Sequence, residues 1–328
     1  MTAPALTVED LRVQFEVPVG GLFRRSTVPL RAVDGVSFQL QEGETLGIVG
    51  ESGCGKSTLG RAVLRLIEPA GGRIVWLGED LLALTRERMR ARREDLQIVF
   101  QDPLASLDPR MTIGDIIAEP LRTHRPQLGR AEIRERVRDM MAKTGLLPQM
   151  LNRYPHEFSG GQCQRVGIAR AMILRPRLIV CDEPVSALDV SIQAQIVNLL
   201  MHLQQEFGLS LLFISHDLSV VRHISHRILV LYLGKVMEIA DRDTIYASPR
   251  HPYTKALISA VPIPDPRLER QKERVPLSGE LPSPLDPPSG CVFRTRCPYA
   301  REICAREVPA RETIGADRTV ACHRWREV

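Results

Sequence analysis

The run Gly50-Glu51-Ser52-Gly53-Cys54-Gly55-Lys56-Ser57-Thr58 has the spacing G-x-x-x-x-G-K-[ST] of a loop that cradles phosphate. Its glycines let backbone N–H groups curl around anionic oxygens where a Cβ would obstruct the turn. A helix leaving such a loop aims further donors and a partial positive charge at the same anion. Lys56 is then expected to reach the β- and γ-phosphates of a nucleotide, and the Ser57 hydroxyl to ligate Mg²⁺. Cys54 occupies a variable position of the loop and reads as a small filler.

A second constellation is Leu178-Ile179-Val180-Cys181-Asp182-Glu183, an apolar run that ends in two acids. Ligands of open α/β sheets gather at strand C-termini, which points these carboxylates towards the phosphates. Asp182 suits Mg²⁺, bound through its water shell. Glu183 suits the base that polarises the attacking water. Leu212-Phe213-Ile214-Ser215-His216 is another apolar run with a polar end, and His216 can donate to the γ-phosphate or to that water. Phe158-Ser159-Gly160-Gly161-Gln162 precedes a helical stretch, Gln164 to Leu174, and so builds a second phosphate-binding helix start. One γ-phosphate does not need two cradles from one chain, so the spacing implies a dimer in which each chain caps the other's nucleotide.

The elements that must position these groups are legible in the apolar pattern. Thr45–Val49, Gln97–Phe100, Leu178–Cys181 and Leu211–Ile214 are short continuous apolar runs, as expected of strands covered on both faces of a largely parallel sheet. Between the second and third, residues 111–157 carry Ile113, Ile116 and Ile117, then Ile133, Val137 and Met141, at helical spacing. Such an insertion predicts a helical subdomain. The basic run Arg86–Arg93 reads as a solvated helix face. After residue 260 prolines punctuate a linker, and Cys291, Cys297, Cys304 and Cys322 crowd the end of the chain.

Composition bounds the rest. The chain has 328 residues, 44% apolar and 25% charged, enough for one large domain and a small appendage. The net charge of +5 is small and dispersed, which argues against nucleic acid as a partner. No run approaches the roughly twenty apolar residues of a membrane helix, and the first residues lack a signal peptide's apolar core. The expected location is the cytoplasmic face of the cell (inner) membrane, peripheral and held there by a partner.

These motifs, in this order, resemble the nucleotide-binding subunits of ABC transporters. The resemblance covers the whole chain: Walker A at Gly50–Thr58, Q-loop Gln101, signature Ser159–Gln162, Walker B ending at Asp182 and Glu183, D-loop Ser186-Ala187-Leu188-Asp189, and switch His216. It implies an α/β fold, a P-loop ABC ATPase core with an antiparallel β subdomain and a helical subdomain, plus a small Cys-rich C-terminal extension. The boundaries implied are 1–250 for the nucleotide-binding domain (helical subdomain about 102–157), 251–288 for a Pro-rich linker and 289–328 for the tail. It further implies a head-to-tail dimer enclosing two ATP molecules, Gln101 sensing Mg²⁺, and Phe15, at the end of the first strand, stacking on adenine, with Phe23 as the alternative. Phe158 stands where the family commonly has Leu. Cys163 stands where a basic residue is common, a change expected to weaken a contact to ATP. With the acids and His216 intact, the resemblance implies an active ATPase.

Within that family, Ser248-Pro249-Arg250-His251-Pro252-Tyr253-Thr254-Lys255-Ala256-Leu257 and Gly279-Glu280-Leu281-Pro282-Ser283-Pro284, the latter with Pro287-Pro288-Ser289-Gly290-Cys291, resemble the dipeptide/oligopeptide permease ATPases. The insertion Pro18–Ser26 is similar to that of the second ATPase of such pairs. The implied partners are a second homologous ATPase, two membrane permease subunits and an extracytoplasmic substrate-binding protein. Nickel or another small solute is the alternative cargo, and a soluble non-transport ABC ATPase or a non-hydrolysing binding module is the alternative function. The tail spacing, Cys291-x5-Cys297-x6-Cys304-x17-Cys322, is too wide for common zinc motifs, and disulfides are not expected in a reducing compartment. A [4Fe–4S] cluster takes four cysteines on wider loops. From Cys291 onward eight Arg stand against five acids, a surplus suited to an anionic cluster or to a membrane-proximal surface. The resemblance favours the cluster on all four cysteines, with Zn²⁺ or plain thiols as alternatives; His323 reads as a bystander.

Overall fold

The computed structural model describes residues 3–19, 26–262, 265–272, 275–277, 279–315 and 318–328. Most of the insertion at Pro18–Ser26, with Phe23, lies outside the described residues. The first half of the chain runs β1 (Leu6–Val19), β2 (Ser26–Leu40), β3 (Thr45–Val49), α1 (Lys56–Val63), β4 (Gly71–Trp76), β5 (Glu79–Asp80), α2 (Arg86–Arg92), β6 (Leu96–Val99), α3 (Ile113–His124) and α4 (Arg130–Lys143). There follow α5 (Gly160–Met172), β7 (Leu178–Asp182), α6 (Val190–Phe207), β8 (Ser210–Ile214), α7 (Leu218–Ile224), β9 (Arg227–Tyr232) and β10 (Lys235–Asp241). The chain closes with α8 (Arg242–Ala247), α9 (Pro252–Ser259), α10 (Pro266–Gln271), α11 (Glu302–Arg306), β11 (Glu312–Ile314) and β12 (Arg318–Val320). No helix among the described residues is long and apolar enough to cross a membrane.

Two compact units interleave along the chain. One comprises Met1–Pro4, Leu40–Thr45 and Asp80–Ser215; the other Ala5–Gln39, Leu46–Glu79 and His216–Val328. In the first unit β6, β7 and β8 lie parallel, with Leu96 opposite Leu178 and Leu178 opposite Ser210. All five residues of β7 and of β8 are buried, so the continuous apolar runs are strands covered on both faces. The helical insertion of this unit follows its pattern. Thr112 caps α3 by accepting from the Asp115 amide. Ile113, Ile116, Ile117 and Leu121 are buried on its inner face, each contributing about 1.5–3 kcal/mol. In α4 the buried stripe is Val137, Met140 and Met141. The basic run forms α2, in which only Met89 is buried.

The second unit holds an antiparallel layer with β1 between β2 and β4. Its other sheet orders β11-β12-β10-β9-β3, in which only β3 and β9 run parallel. The segment after residue 250 is more regular than its prolines predict. Pro252 stands at the first position of α9 and Pro266 at that of α10, where a missing N–H costs nothing. The final hairpin, β11–β12, is an integral edge of the sheet. It is locked there by Glu238, fully buried in β10, which accepts from the amides of Arg250 (3.0 Å) and His251 (2.9 Å) and from Arg318 Nε (3.0 Å).

Removing one member of a buried ion pair leaves the other uncompensated. Arg318→Met is therefore expected to destabilise this unit by about 3–5 kcal/mol in urea unfolding. A loss below about 1 kcal/mol, the size of a surface pair, would show that water screens Glu238.

Candidate functional site

The phosphate loop belongs to the second unit and joins β3 to α1. Gly50 has φ +155° and Gly55 φ +103°. A Cβ on Gly50 would lie 2.1 Å from the Leu231 carbonyl oxygen, and one on Gly55 2.1 Å from that of Ala32. The loop is thus pressed against backbone on two sides, and only glycine fits. Gly53, φ +77°, has open space around it. Lys56 is buried, and its ammonium donates to the carbonyls of Gly50 (2.9 Å) and Glu51 (3.0 Å). Gly55 caps α1 in the left-handed conformation with no side-chain hydrogen bond, so no side chain crowds the helix start. Ser57 and Thr58 open the helix, half-buried. Ser52 and Gly53 are exposed at the loop's tip. Cys54 is buried, and burial raises its thiol pKa.

The acids belong to the first unit. Asp182 ends β7 fully buried, and Glu183 follows half-buried. Glu183 has φ +47°, a conformation that non-glycine residues adopt only under constraint. Its amide donates to the Ile214 carbonyl (3.1 Å), which ties the strained residue to β8. Its carboxylate accepts from Gln101 Nε2 at 3.2 Å. The structure therefore brings Gln101 and Glu183 together, although 82 positions separate them. Asp189 is exposed at the start of α6. His216 is exposed one residue beyond the end of this unit.

The signature turn is a capped helix start. Ser159 Oγ accepts from the Gln162 amide (3.4 Å), and Gln162 Oε1 accepts from the Ser159 amide (2.9 Å), a capping box at the head of α5. A Cβ on Gly161 would lie 2.6 Å from Ile192 Cγ2, so α5 and α6 meet closely there. Gly160 is half-buried beside Leu188. Cys163 is fully buried, with its thiol directed at the Pro155 carbonyl. One expectation is corrected here. Phe15 lies inside β1, which continues to Val19, and not at the strand's end; its ring is 39% exposed and available for stacking.

In the tail, Cys291, Cys297, Cys304 and Cys322 line one pocket with His251, Phe293 and Tyr299. All four are free thiols. Burial pushes Cys291 up to about 12 and Cys322 up to about 11. Among the described residues no three Cys, His or acidic side chains sit close enough to share a single metal ion. His323 Nε2 lies 3.1 Å from the Glu307 carbonyl oxygen.

Three residues of the second unit escaped the motif reading. Tyr253 accepts from the Glu51 amide through its hydroxyl (2.9 Å), Phe293 packs edge-on against Tyr232, and Arg296 forms a forked pair with Glu51. Tyr253 was visible only as part of a transporter-class motif, and Arg296 only as one of eight tail arginines. Neither carries a local signal of contact with a loop some two hundred positions away.

Two family models match the chain: "ABC transporter" over residues 33–186 and "Oligopeptide/dipeptide transporter, C-terminal region" over 237–304. The oligopeptide transport ATP-binding protein OppF of Salmonella typhimurium is 62% identical over 94% of this chain and 92% of its own. The chain belongs to the ABC transporter ATP-binding subunits of the oligopeptide type. The Bacillus subtilis oligopeptide transport ATP-binding protein AppF is 54% identical over 97% of this chain and 96% of its own. Among solved structures, the ATP-binding cassette MJ0796 bound to ADP and Pi superposes with a TM-score of 0.64, at 28% identity over 72% of this chain and 98% of that one. The fold is thus the α/β fold of ABC ATPases, and the protein is an ATP-binding ATPase subunit of that family, for which ATP and Mg²⁺ are the expected cofactors.

Gly53→Ala is expected to cost about 1–2 kcal/mol through its positive φ alone. Gly55→Ala adds a clash with backbone and is expected to cost more and to remove nucleotide binding in isothermal titration. Equal effects of the two would show that the loop relaxes around the added methyl.

Proposed function

We propose that this chain powers a bacterial importer of di- or oligopeptides by hydrolysing MgATP at the cytoplasmic face of the inner membrane. The observation that carries the catalytic part is the hydrogen bond from Gln101 to a strained Glu183 at the end of β7. The oligopeptide part rests on the near full-length relatives and on the match over 237–304. In this reading Gly50–Thr58 wrap the phosphates with backbone amides, Lys56 neutralises the γ-phosphate, and Phe15 stacks on adenine. Ser57, Gln101 and Asp182 would hold Mg²⁺, which offsets phosphate charge. Glu183 orients the attacking water and takes its proton, and His216 donates to the γ-phosphate. Ser159–Gln162 and Asp189 act on the nucleotide of a partner ATPase. The partners are a second homologous ATPase, two membrane permease subunits and an extracytoplasmic substrate-binding protein.

The same reading extends to the tail, where the four cysteines would hold a [4Fe–4S] cluster. A single Zn²⁺ would draw its sulfurs to about 2.3 Å from one point. A four-iron cluster instead takes one thiolate per iron and tolerates a wider set. What speaks for the cluster is the wide cysteine spacing, together with all four cysteines lining one pocket. Such a cluster would supply a cross-link for a tail with little core, or a one-electron site.

Glu183→Gln is expected to retain ATP binding while phosphate release by the assembled complex falls at least about 100-fold; turnover at the wild-type rate would remove Glu183 from its role. Anaerobically purified protein is expected to be brown and to contain iron. A colourless protein carrying zinc would overturn the cluster assignment.

A further inference from the structure

The phosphate loop carries an acid that its own chemistry does not need. Glu51 is the first variable position after Gly50, and a carboxylate there adds negative charge where a polyphosphate is to bind. The structure pairs that charge. Arg296, in the cysteine-rich tail and adjacent to Cys297, places Nη1 2.5 Å from Glu51 Oε2 and Nη2 3.1 Å from Oε1. This fork-to-fork geometry fixes orientation as well as charge. The Arg296 side chain is only 6% exposed and that of Glu51 26%, so water screens the pair weakly. The Glu51 backbone is held by α9, through its amide to Tyr253 Oη, while its carbonyl accepts from Lys56. The guanidinium lies 6.0 Å from the Tyr232 ring centroid, and Phe293, three residues earlier in the tail, packs against both tyrosines at 5.3 Å. Every contact belongs to one unit of the fold.

We infer that Arg296 is a positioning residue for ATP binding: it cancels the charge of Glu51 and holds the first turn of the phosphate loop, so that the folded tail sets the loop's affinity for nucleotide. The inference rests on the proposed role of Gly50–Thr58 as the ATP phosphate site. It assigns to the tail an effect on the nucleotide that is independent of what its cysteines carry. Arg296 touches no reacting atom, and its effect is expected in nucleotide affinity and not in the chemical step.

The test uses the full-length protein and ATP with Mg²⁺, measured by titration calorimetry and by phosphate release in the assembled complex. Arg296→Met exposes the Glu51 charge and is expected to weaken ATP binding by about tenfold, the effect of one uncompensated charge in a partly buried site, with kcat at saturation little changed. Glu51→Gln in the Arg296→Met background removes that charge and is expected to restore most of the affinity. Arg296→Lys keeps the charge without the fork and is expected to fall between Arg296→Met and wild type. Unchanged affinity in a folded Arg296→Met protein, or a double variant as weak as Arg296→Met, would overturn the inference, the latter because a purely structural role is not rescued by removing a charge. Should Arg296→Met fail to fold, Arg296→Lys decides: wild-type affinity at all salt concentrations overturns the inference, and weakened affinity supports it. Failure of the wild-type protein to bind ATP would refute the proposed function instead, which separates the two readings.

Discussion

A phosphate cradle made of backbone has few side chains with which to hold itself in place. The loop from Gly50 to Gly55 binds only if its amides stay aimed, and three glycines in six residues leave it conformationally permissive. Its rigidity is supplied from outside. The carbonyls of Leu231 and Ala32 occupy the places where side chains would stand on Gly50 and Gly55, and Tyr253 and Arg296 hold Glu51. Most of the second unit can be read as the support of this one turn: β9 beside β3, α9 behind Glu51, and the tail against the Glu51 side chain.

The catalytic acid is held on a different principle. Glu183 sits in a backbone conformation that costs energy, and the cost is sustained by the fully buried strands β7 and β8 and by the hydrogen bond to Ile214. A carboxylate on a strained, short connection has few alternative positions. The signature turn uses a third device, a capping box in which Ser159 and Gln162 satisfy each other's amides.

The parts legible in the sequence are those whose physics is local. Apolar runs bounded by turn residues located β3, β6, β7 and β8 to within a residue, because strands buried on both faces tolerate little else. Gly50, Gly55 and Lys56 were legible because a phosphate loop admits few residues at those positions. Helix spacing found α3 and α4, and Met89 inside a basic run marked α2. The misreadings came from long-range packing. Prolines after residue 250 suggested irregular chain, yet proline is compatible with the first turn of a helix, and α9 and α10 begin that way. Phe15 was placed at the end of its strand by analogy of position, and β1 continues past it to Val19. The Arg296–Glu51 and Arg318–Glu238 pairs join residues 245 and 80 positions apart, and nothing in either local sequence marks its partner.

The interleaving of the two units has a consequence for biosynthesis. The first unit is complete in sequence once residue 215 has been made. The second contains the phosphate loop near its start but recruits β9, β10, α9, Arg296 and the closing hairpin from the last third of the chain. A nascent polypeptide still attached to the ribosome therefore carries the loop's motif long before it carries the loop's supports. A chain that stops before its last third has the motif without these supports.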